Sequence, residues 1–201
     1  MAALWVIPLH CRVYIDEAHR RGRAAYRRWA WSLRGARAES YSVASEGVAT
    51  SFIVGMAHGG LIDWKLTKPP PGQSSVDFLL FLIYSVLPAM RAYNPGLPWD
   101  QNEPSCVLFL VNARVHDHIA VAVVEVAGVM VRFLPPYCPD VDPAQDVFSV
   151  ASSWLRRHVT SKKFSVWPFT TLTSILLHTT TDICAGFVKA AVGRYVTNVP
   201  K

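Results

Sequence analysis

Charged side chains are scarce in this sequence, and hydrophobic ones are plentiful. Only 17% of the 201 residues are Asp, Glu, Lys or Arg, whereas 51% are hydrophobic. A chain of this length and composition can bury a full core, which excludes a largely disordered protein. We therefore expect one ordered α/β domain that covers residues 1–201.

Several common catalytic motifs are also missing. The sequence has no G-x-S-x-G elbow, no G-x-x-x-x-G-K-[ST] loop, no G-x-G-x-x-G after a strand and no H-E-x-x-H. These absences argue against α/β-hydrolases, P-loop enzymes, dinucleotide-dependent enzymes and zinc proteases, and we expect no small-molecule substrate. The four cysteines are scattered and form no C-x-x-C pair, so they predict reduced thiols and an intracellular location.

Long uninterrupted apolar runs are lacking too. The run from Phe78 to Met90 is too short to cross a bilayer, and the run from Phe164 to Thr181 contains Pro168. The N-terminal segment has no basic region and contains Pro8, unlike a signal peptide. The sequence thus predicts no membrane partner.

Positive charge is present, and it is concentrated in one segment. The net charge is +6, and the stretch from Arg12 to Arg37 carries eight arginines against Asp16 and Glu17. Such a stripe fits a phosphate backbone, but it also fits a solvated basic face without a partner. The residues that would contact DNA are Arg20, Arg21, Arg23, Arg27, Arg28 and Arg34.

The hydrophobic pattern predicts an alternation of strands and helices. Three strands come first, then helix and strand alternate, and helices close the chain from about residue 143. We expect Ser75 to cap the first helix, and Asp142 with Pro143 to begin a later one. The predicted strands are 11–16, 48–57, 61–66, 107–111 and 129–133, and the C-terminal helix is 181–196.

Three segments resemble one known family. They are YIDEA with WSLRG (14–18 and 31–35), VNARVH (111–116) and LPPYCPDVDPAQ (134–145). Their wording is similar to that of the Tc1/mariner and IS630-like DDE transposases. The resemblance implies a ribonuclease-H-like fold, in which helices cover both faces of an antiparallel three-strand meander extended by parallel strands.

The resemblance also implies a catalytic site of three carboxylates that hold two Mg²⁺ or Mn²⁺ ions. By this comparison Asp16 is the first acid, but Val111 and Gln145 occupy the second and third acid positions. Those two positions are 34 residues apart, a separation that the superfamily uses. Asn112 and His116 match residues that support the site in the family.

The two replaced acids predict a catalytically impaired chain that binds no metal ion tightly. Valine has no lone pair, and the glutamine carbonyl is a neutral, weak ligand, so Asp16 alone would hold cations poorly. Asp142 or Asp146 could instead serve as a re-sited acid in an active, divergent nuclease. Asp142 is the better of the two, because Asp146 lies about 100° round the helix from Gln145.

The sequence therefore predicts a transposase-derived DDE endonuclease domain, a pseudoenzyme of transposable-element origin whose ancestors cut, transposed and integrated DNA. Its expected partner is DNA, bound weakly and without sequence specificity, because no N-terminal helix-turn-helix region precedes the domain. The resemblance further implies a homodimer, and a nuclear location in a eukaryote. A domain kept only for protein contacts, and a genomic relic without a role, remain alternatives.

Overall fold

A five-stranded mixed sheet lies at the centre of the structure, a computed structural model that describes residues 7–20, 32–36, 50–67, 74–93, 106–111, 118–135, 138–158 and 168–198. β-branched and aromatic side chains, which favour extended backbone, are frequent in its strands. The strands are β1 (Arg12–Arg20), β2 (Thr50–Ala57), β3 (Gly60–Thr67), β4 (Val107–Leu110) and β5 (Met130–Phe133).

The strands are arranged in the order β3-β2-β1-β4-β5. β2 is antiparallel to both β1 and β3, and a tight turn leads to Gly60, whose φ of 135° suits glycine. β4 runs parallel to β1, and β5 runs parallel to β4. Parallel neighbours need a crossover, and helices supply both of them. The predicted meander with a parallel extension is confirmed.

β1 is the middle strand, and it is longer than predicted. The prediction that it ends at Asp16 was wrong, because its antiparallel pairing continues from Asp16 opposite Val54 to Arg20 opposite Thr50. Successive side chains of a strand point to opposite faces of the sheet. Asp16 therefore shares a face with Tyr14, whereas Glu17 lies on the other face.

Helices cover both faces of the sheet. The first helix begins at Ser75 and is capped by Ser74, one residue earlier than predicted. The Ser74 hydroxyl accepts a hydrogen bond from the Asp77 amide at 3.1 Å, and the Asp77 carboxylate accepts one from the Ser74 amide at 3.1 Å. The helices are α1 (Ser75–Phe81), α2 (Leu87–Tyr93), which continues α1 through a π-helical turn (Leu82–Val86), α3 (His118–Val126), α4 (Pro143–His158), α5 (Pro168–Leu177) and α6 (Thr181–Asn198).

Two apolar cores, one on each face, hold these layers together. On the face of Tyr14, Phe52 packs edge-to-face on Phe148 of α4 with ring centroids 4.9 Å apart, and α5 and α6 complete this core. On the other face, Ile15 and Ile53 pack against α1, α2 and α3, with Phe78 fully buried. Burial of this much apolar surface is the main stabilising contribution to the fold.

One helical stretch of the described residues, Ser75–Ala92, is long and apolar enough to cross a membrane by length and composition. It is longer than the apolar run from Phe78 to Met90 suggested, because the flanking turns extend it. The pair Phe169–Leu177 and Thr181–Arg194 passes the same test only together, and it is bent by 83°. One third of the stretch is buried, and Phe78, Leu82 and Val86 are among the residues that pack in the core on that face of the sheet.

Candidate active site

Asp16 lies in the middle of the sheet and is almost completely buried, with 4% of its surface exposed. Its carboxylate Oδ2 accepts a hydrogen bond from Nε2 of Gln145, in the first turn of α4. An amide N–H that donates to a carboxylate stabilises the charged form of the acid. The fold therefore brings together two positions that are 129 residues apart in the sequence.

Val111 follows directly after β4, beside Asp16. The parallel pairing of β1 and β4 places Ile15 opposite Leu110, so the next step of the register places Asp16 opposite Val111. The resemblance assigned the three acids to positions 16, 111 and 145, and the fold brings all three positions together. We call the place where Asp16, Val111 and Gln145 meet the corner. The corner contains a carboxylate, an amide and an aliphatic side chain.

Asp142 is the second carboxylate of this corner, and it is 1% exposed. Its Oδ1 accepts a hydrogen bond from the Ala144 amide at 3.0 Å, which caps α4 as predicted. Its Oδ2 is buried and receives no hydrogen bond from a donor in the described part of the chain. The Asp16 carboxyl is within hydrogen-bonding reach of Asp142, but two carboxyl groups can bond only when one keeps its proton.

Burial and the nearby Asp16 charge raise the pKa of Asp142 from 3.8 to about 8. Burial disfavours the charged form first, and the like charge of Asp16 adds to this effect, against the amide of Ala144. At neutral pH Asp142 is therefore mostly protonated and can donate to Asp16. A protonated aspartate resembles an amide in being neutral and able to donate.

Two further buried polar groups of β1, Arg12 and Tyr14, share this face, and the sequence alone indicated no role for either. Arg12 is 7% exposed and donates from Nε and Nη2 to the Ile7 carbonyl at 3.2 and 3.0 Å. Tyr14 stacks on Phe109 at 5.0 Å, and burial raises the pKa of its hydroxyl. Arg12, Tyr14 and Asp16 alternate along the strand. In the sequence, this alternation of polar groups within an otherwise apolar strand is the pattern that indicates a shared face for Arg12, Tyr14 and Asp16.

Asp146 has a different partner. Its carboxylate pairs with Arg194 of α6 at 2.7 Å, and the same guanidinium donates to the Asp140 carbonyl. Arg194 thus attaches the start of α4 to α6. Asp146 is one residue beyond Gln145, and its carboxylate is engaged by this ion pair.

Most of the predicted DNA-binding and supporting residues lie outside the described residues. Arg34 is described and exposed, in a turn where Gly35 has a φ of 90°. Arg20 ends β1, but its side chain is not described. Those outside the described ranges are Arg21, Arg23, Arg27, Arg28, Asn112 and His116.

The corner does not fit the pair of divalent cations that the resemblance implies. Two such ions need several anionic oxygen ligands to offset their charge. Here Val111 offers none, Gln145 directs its N–H group at Asp16, and Asp142 is mostly protonated at neutral pH. Within the described part of the chain, no three His, Cys, Asp or Glu side chains are grouped to hold a metal ion.

A separate cavity of about 310 Å³ lies at the opposite end of β1 and β4. Its lining is mostly apolar and includes Val13, Met90 and Cys106, with His10 as a polar group. The volume is in the range of small-molecule pockets. The cavity does not adjoin Asp16, and it contributes no residue to that corner.

The sheet order, the parallel extension and the buried acid in the middle strand define a ribonuclease-H-like fold. Two solved structures of the Mos1 mariner transposase share it. One, a paired end complex with Mn, has a TM-score of 0.76 at 18% identity over 97% of this chain and 56% of that chain. The other, a pre-cleavage transpososome, has a TM-score of 0.74 at 18% identity over 94% of this chain and 55% of that chain.

A third structure contains only the Mos1 catalytic domain, with Raltegravir and Mn. It has a TM-score of 0.66 at 17% identity, over 97% of this chain and 84% of that chain. The present chain thus spans a little over half the length of the Mos1 chains in the first two structures. Its extent matches the catalytic domain much more closely.

The family itself is shown by sequence. The family model described as DDE superfamily endonuclease matches residues 12–165, more than half of the chain. No curated protein sequence matches this chain. The chain belongs to the DDE superfamily endonuclease family and has the fold of a Tc1/mariner-like transposase catalytic domain.

Proposed function

We propose that this chain is a transposase-derived DDE domain that binds DNA but does not cut it by the family's two-metal mechanism. The observation that supports this proposal is the hydrogen bond from Gln145 to Asp16. At the position that the resemblance assigns to the third acid, the neutral amide of Gln145 donates a hydrogen bond directly to the Asp16 carboxylate. The first acid is therefore stabilised by protein, at a corner with too few anionic ligands for two cations.

The loss of the second acid supports the same proposal. One register step beyond the pairing of Ile15 with Leu110 places Val111 beside Asp16, so the position that the resemblance assigns to the second acid offers no anionic ligand for a metal ion. When bound, the metal pair would activate the attacking water or hydroxyl and stabilise the leaving oxygen. This chain's residues instead hold Asp16 in a network of hydrogen bonds.

DNA binding is proposed from charge and from the structural relatives. The Mos1 relatives are a pre-cleavage transpososome and a paired end complex. In this chain the arginines between Arg12 and Arg37 supply the whole net positive charge. Such a segment binds phosphates without reading sequence, which predicts weak binding that falls steeply with salt. An intracellular location, nuclear in a eukaryote, and a dimer belong to the same proposal.

A nicking and strand-transfer assay with Mg²⁺ or Mn²⁺ tests the catalytic part. We expect wild type to give no more product than Asp16→Ala. A matched variant, Val111→Asp with Gln145→Glu, restores acids at both positions and controls for the substrate and conditions. Metal-dependent turnover by wild type that Asp16→Ala abolishes would contradict the proposal.

Fluorescence anisotropy with labelled duplex DNA tests the binding part. We expect the combined change of Arg23, Arg27 and Arg28 to Ala to weaken binding and to flatten the salt dependence by about 0.9 in log–log slope per lost phosphate contact. Arg156→Ala with Arg157→Ala, in the last turn of α4, is the matched control. Wild-type binding that is absent, or insensitive to salt, would favour the alternative of a protein-interaction domain.

A divergent active enzyme is the second candidate, and the position of Asp142 favours it. Asp142 is next to Asp16, and its Oδ2 is buried without a donor among the described residues, as a ligand atom could be. Two carboxylates could hold a single cation once Asp142 loses its proton. Activity that appears only above about pH 8 and disappears in Asp142→Asn would support this candidate over the first.

A further inference from the structure

The amide of Gln145 occupies a position where charge has to be balanced. Asp16 is buried in the middle strand, with 4% of its surface exposed, and a carboxylate removed from water needs compensating donors or cations. One such donor is Nε2 of Gln145. The nearby Asp142 is also buried and adds a second acidic group to the corner.

We propose that the Gln145 side chain replaces a divalent cation as the structural partner of Asp16, so that the fold of this chain is independent of metal. This inference rests on the proposed loss of two-metal chemistry, and it extends that loss to folding. The hydrogen bond connects β1 to the first turn of α4. It therefore fixes the helix whose side chains fill one core of the domain.

The inference makes one residue decisive. A carboxylate at position 145 would meet the buried Asp16 carboxylate with no N–H between them, and like charges at hydrogen-bonding distance repel strongly in a buried site. Together with Asp142, three carboxyl groups would then converge. A cation would relieve the repulsion, so the single change Gln145→Glu should convert metal-independent folding into metal-responsive folding.

Thermal unfolding in EDTA and in excess MnCl₂ tests the proposal without any DNA substrate. We expect the wild-type Tm to be the same in both conditions. Gln145→Glu should lower the Tm in EDTA by about 5–10 °C, and Mn²⁺ should recover at least half of that loss through binding to the folded state. Ser149→Glu adds a carboxylate at an exposed position of the same helix, and it should change neither value.

The double variant Asp16→Asn with Gln145→Glu exchanges the two roles. The amide then lies on β1 and the carboxylate on α4, so the donor and acceptor are again paired. We expect its Tm in EDTA to exceed that of Gln145→Glu alone, and we expect Mn²⁺ to have little effect on it. Such rescue in a double-mutant cycle isolates the pairwise interaction from the other effects of each change.

Several results would overturn the proposal. They are a wild-type Tm that rises with Mn²⁺ as much as that of Gln145→Glu, a Gln145→Glu variant as stable as wild type in EDTA, or a destabilised variant that Mn²⁺ does not restore. If Gln145→Glu does not fold in EDTA, refolding in MnCl₂ and folding of the double variant decide the question, and failure of both overturns the proposal. A wild type that nicks DNA contradicts the proposed function, whereas one that does not nick but is stabilised by Mn²⁺ contradicts only this inference.

Discussion

Two aspartates help to begin two helices on opposite faces of the sheet, and their pKa values move in opposite directions. Asp77 lies in the first turn of α1, where hydrogen bonds from Lys65 and Ser74 lower its pKa to about 2. Asp142 precedes α4, and burial together with the Asp16 charge raises its pKa to about 8. The same side chain is thus an ionised capping-box partner at one site, and at the other it is a helix cap that keeps its proton at neutral pH.

The opposite pKa shifts of Asp77 and Asp142 follow from the different surroundings of the two carboxyl groups. At Asp77 a lysine and solvent balance the charge, so the carboxylate can remain ionised. Asp142 also caps its helix, but its carboxyl group is buried beside the Asp16 carboxylate. Among the described residues no cation contributes to its pKa, and its Oδ2 receives no hydrogen bond. The two regions therefore share a capping interaction and differ in how the charge of the acid is balanced.

The largest expected effect tests whether both helices are anchored to the same extent. Phe148→Ala on α4 and Phe78→Ala on α1 each remove a fully buried ring, and each should lower the free energy of unfolding by about 3–5 kcal/mol. Urea denaturation of the two variants measures both losses. A much smaller loss of unfolding free energy in Phe148→Ala would show that the face of the sheet with Asp16 is the more loosely packed one.

The second prediction concerns the raised pKa. The unfolded chain releases the Asp142 proton near pH 3.8 and the folded chain near pH 8, so wild-type stability should fall as pH rises between these values. Asp142→Asn keeps the cap and removes the titration, so it should stabilise the protein by about 1–3 kcal/mol at pH 7 and abolish that slope. Denaturant unfolding of wild type and Asp142→Asn between pH 5 and about 9 measures how the free energy of unfolding depends on pH. A slope that persists in the variant would show that Asp142 is not its source.

A third prediction follows from the lowered pKa of Asp77. Folded Asp77 loses its charge only near pH 2, so its contribution is complete above the unfolded value of 3.8 and is lost as the pH falls toward 2. Asp77→Ala also removes one half of the capping box, so it should cost about 1 kcal/mol at pH 7. Unfolding measured from pH 7 down to pH 3 checks both effects. Wild type and variant that lose stability equally in acid would refute the assignment.

The smallest expected effect compares the two ion pairs. Lys65–Asp77 and Arg194–Asp146 both have a separation of 2.7 Å and side chains about one-third exposed. Exposed pairs of this kind contribute less than about 1 kcal/mol each. Arg194→Met and Lys65→Met should therefore differ little from each other in urea denaturation. A larger loss for Arg194→Met would mean that its bond to the Asp140 carbonyl helps to hold the site helix.

Much of the architecture was predictable from local pattern. The strands at β2, β3, β4 and β5 and the helix that follows Asp142 lie close to their predicted bounds, because alternation, apolar runs and caps are local signals. The end of β1 was missed, since its polar segment Glu17–Arg20 is held by pairing with β2 and not by its own propensity. The cap at Ser74 instead of Ser75 is a one-residue error between adjacent, chemically equal candidates.

The candidate site was predictable in its members and not in its chemistry. Asp16, Val111, Gln145 and Asp142 were all named from the sequence, and the fold brings them together. The sequence did not predict the hydrogen bond from Gln145, the raised pKa of Asp142 or the burial of Arg12 and Tyr14. Each depends on distances and burial between residues that the sequence separates. The catalytic roles of these residues, the single-domain extent and the DNA-binding arginines remain predictions.

The sequence by itself determined that Asp16, Val111 and Gln145 stand at the positions that the resemblance assigns to three acids. It also determined the order of strands and helices, because that order is written in local periodicity. Only the tertiary structure decided what those groups do to one another. A glutamine is a weak metal ligand in any alignment, but it becomes the partner of Asp16 only when α4 is packed against the sheet and brings the two side chains within hydrogen-bonding distance.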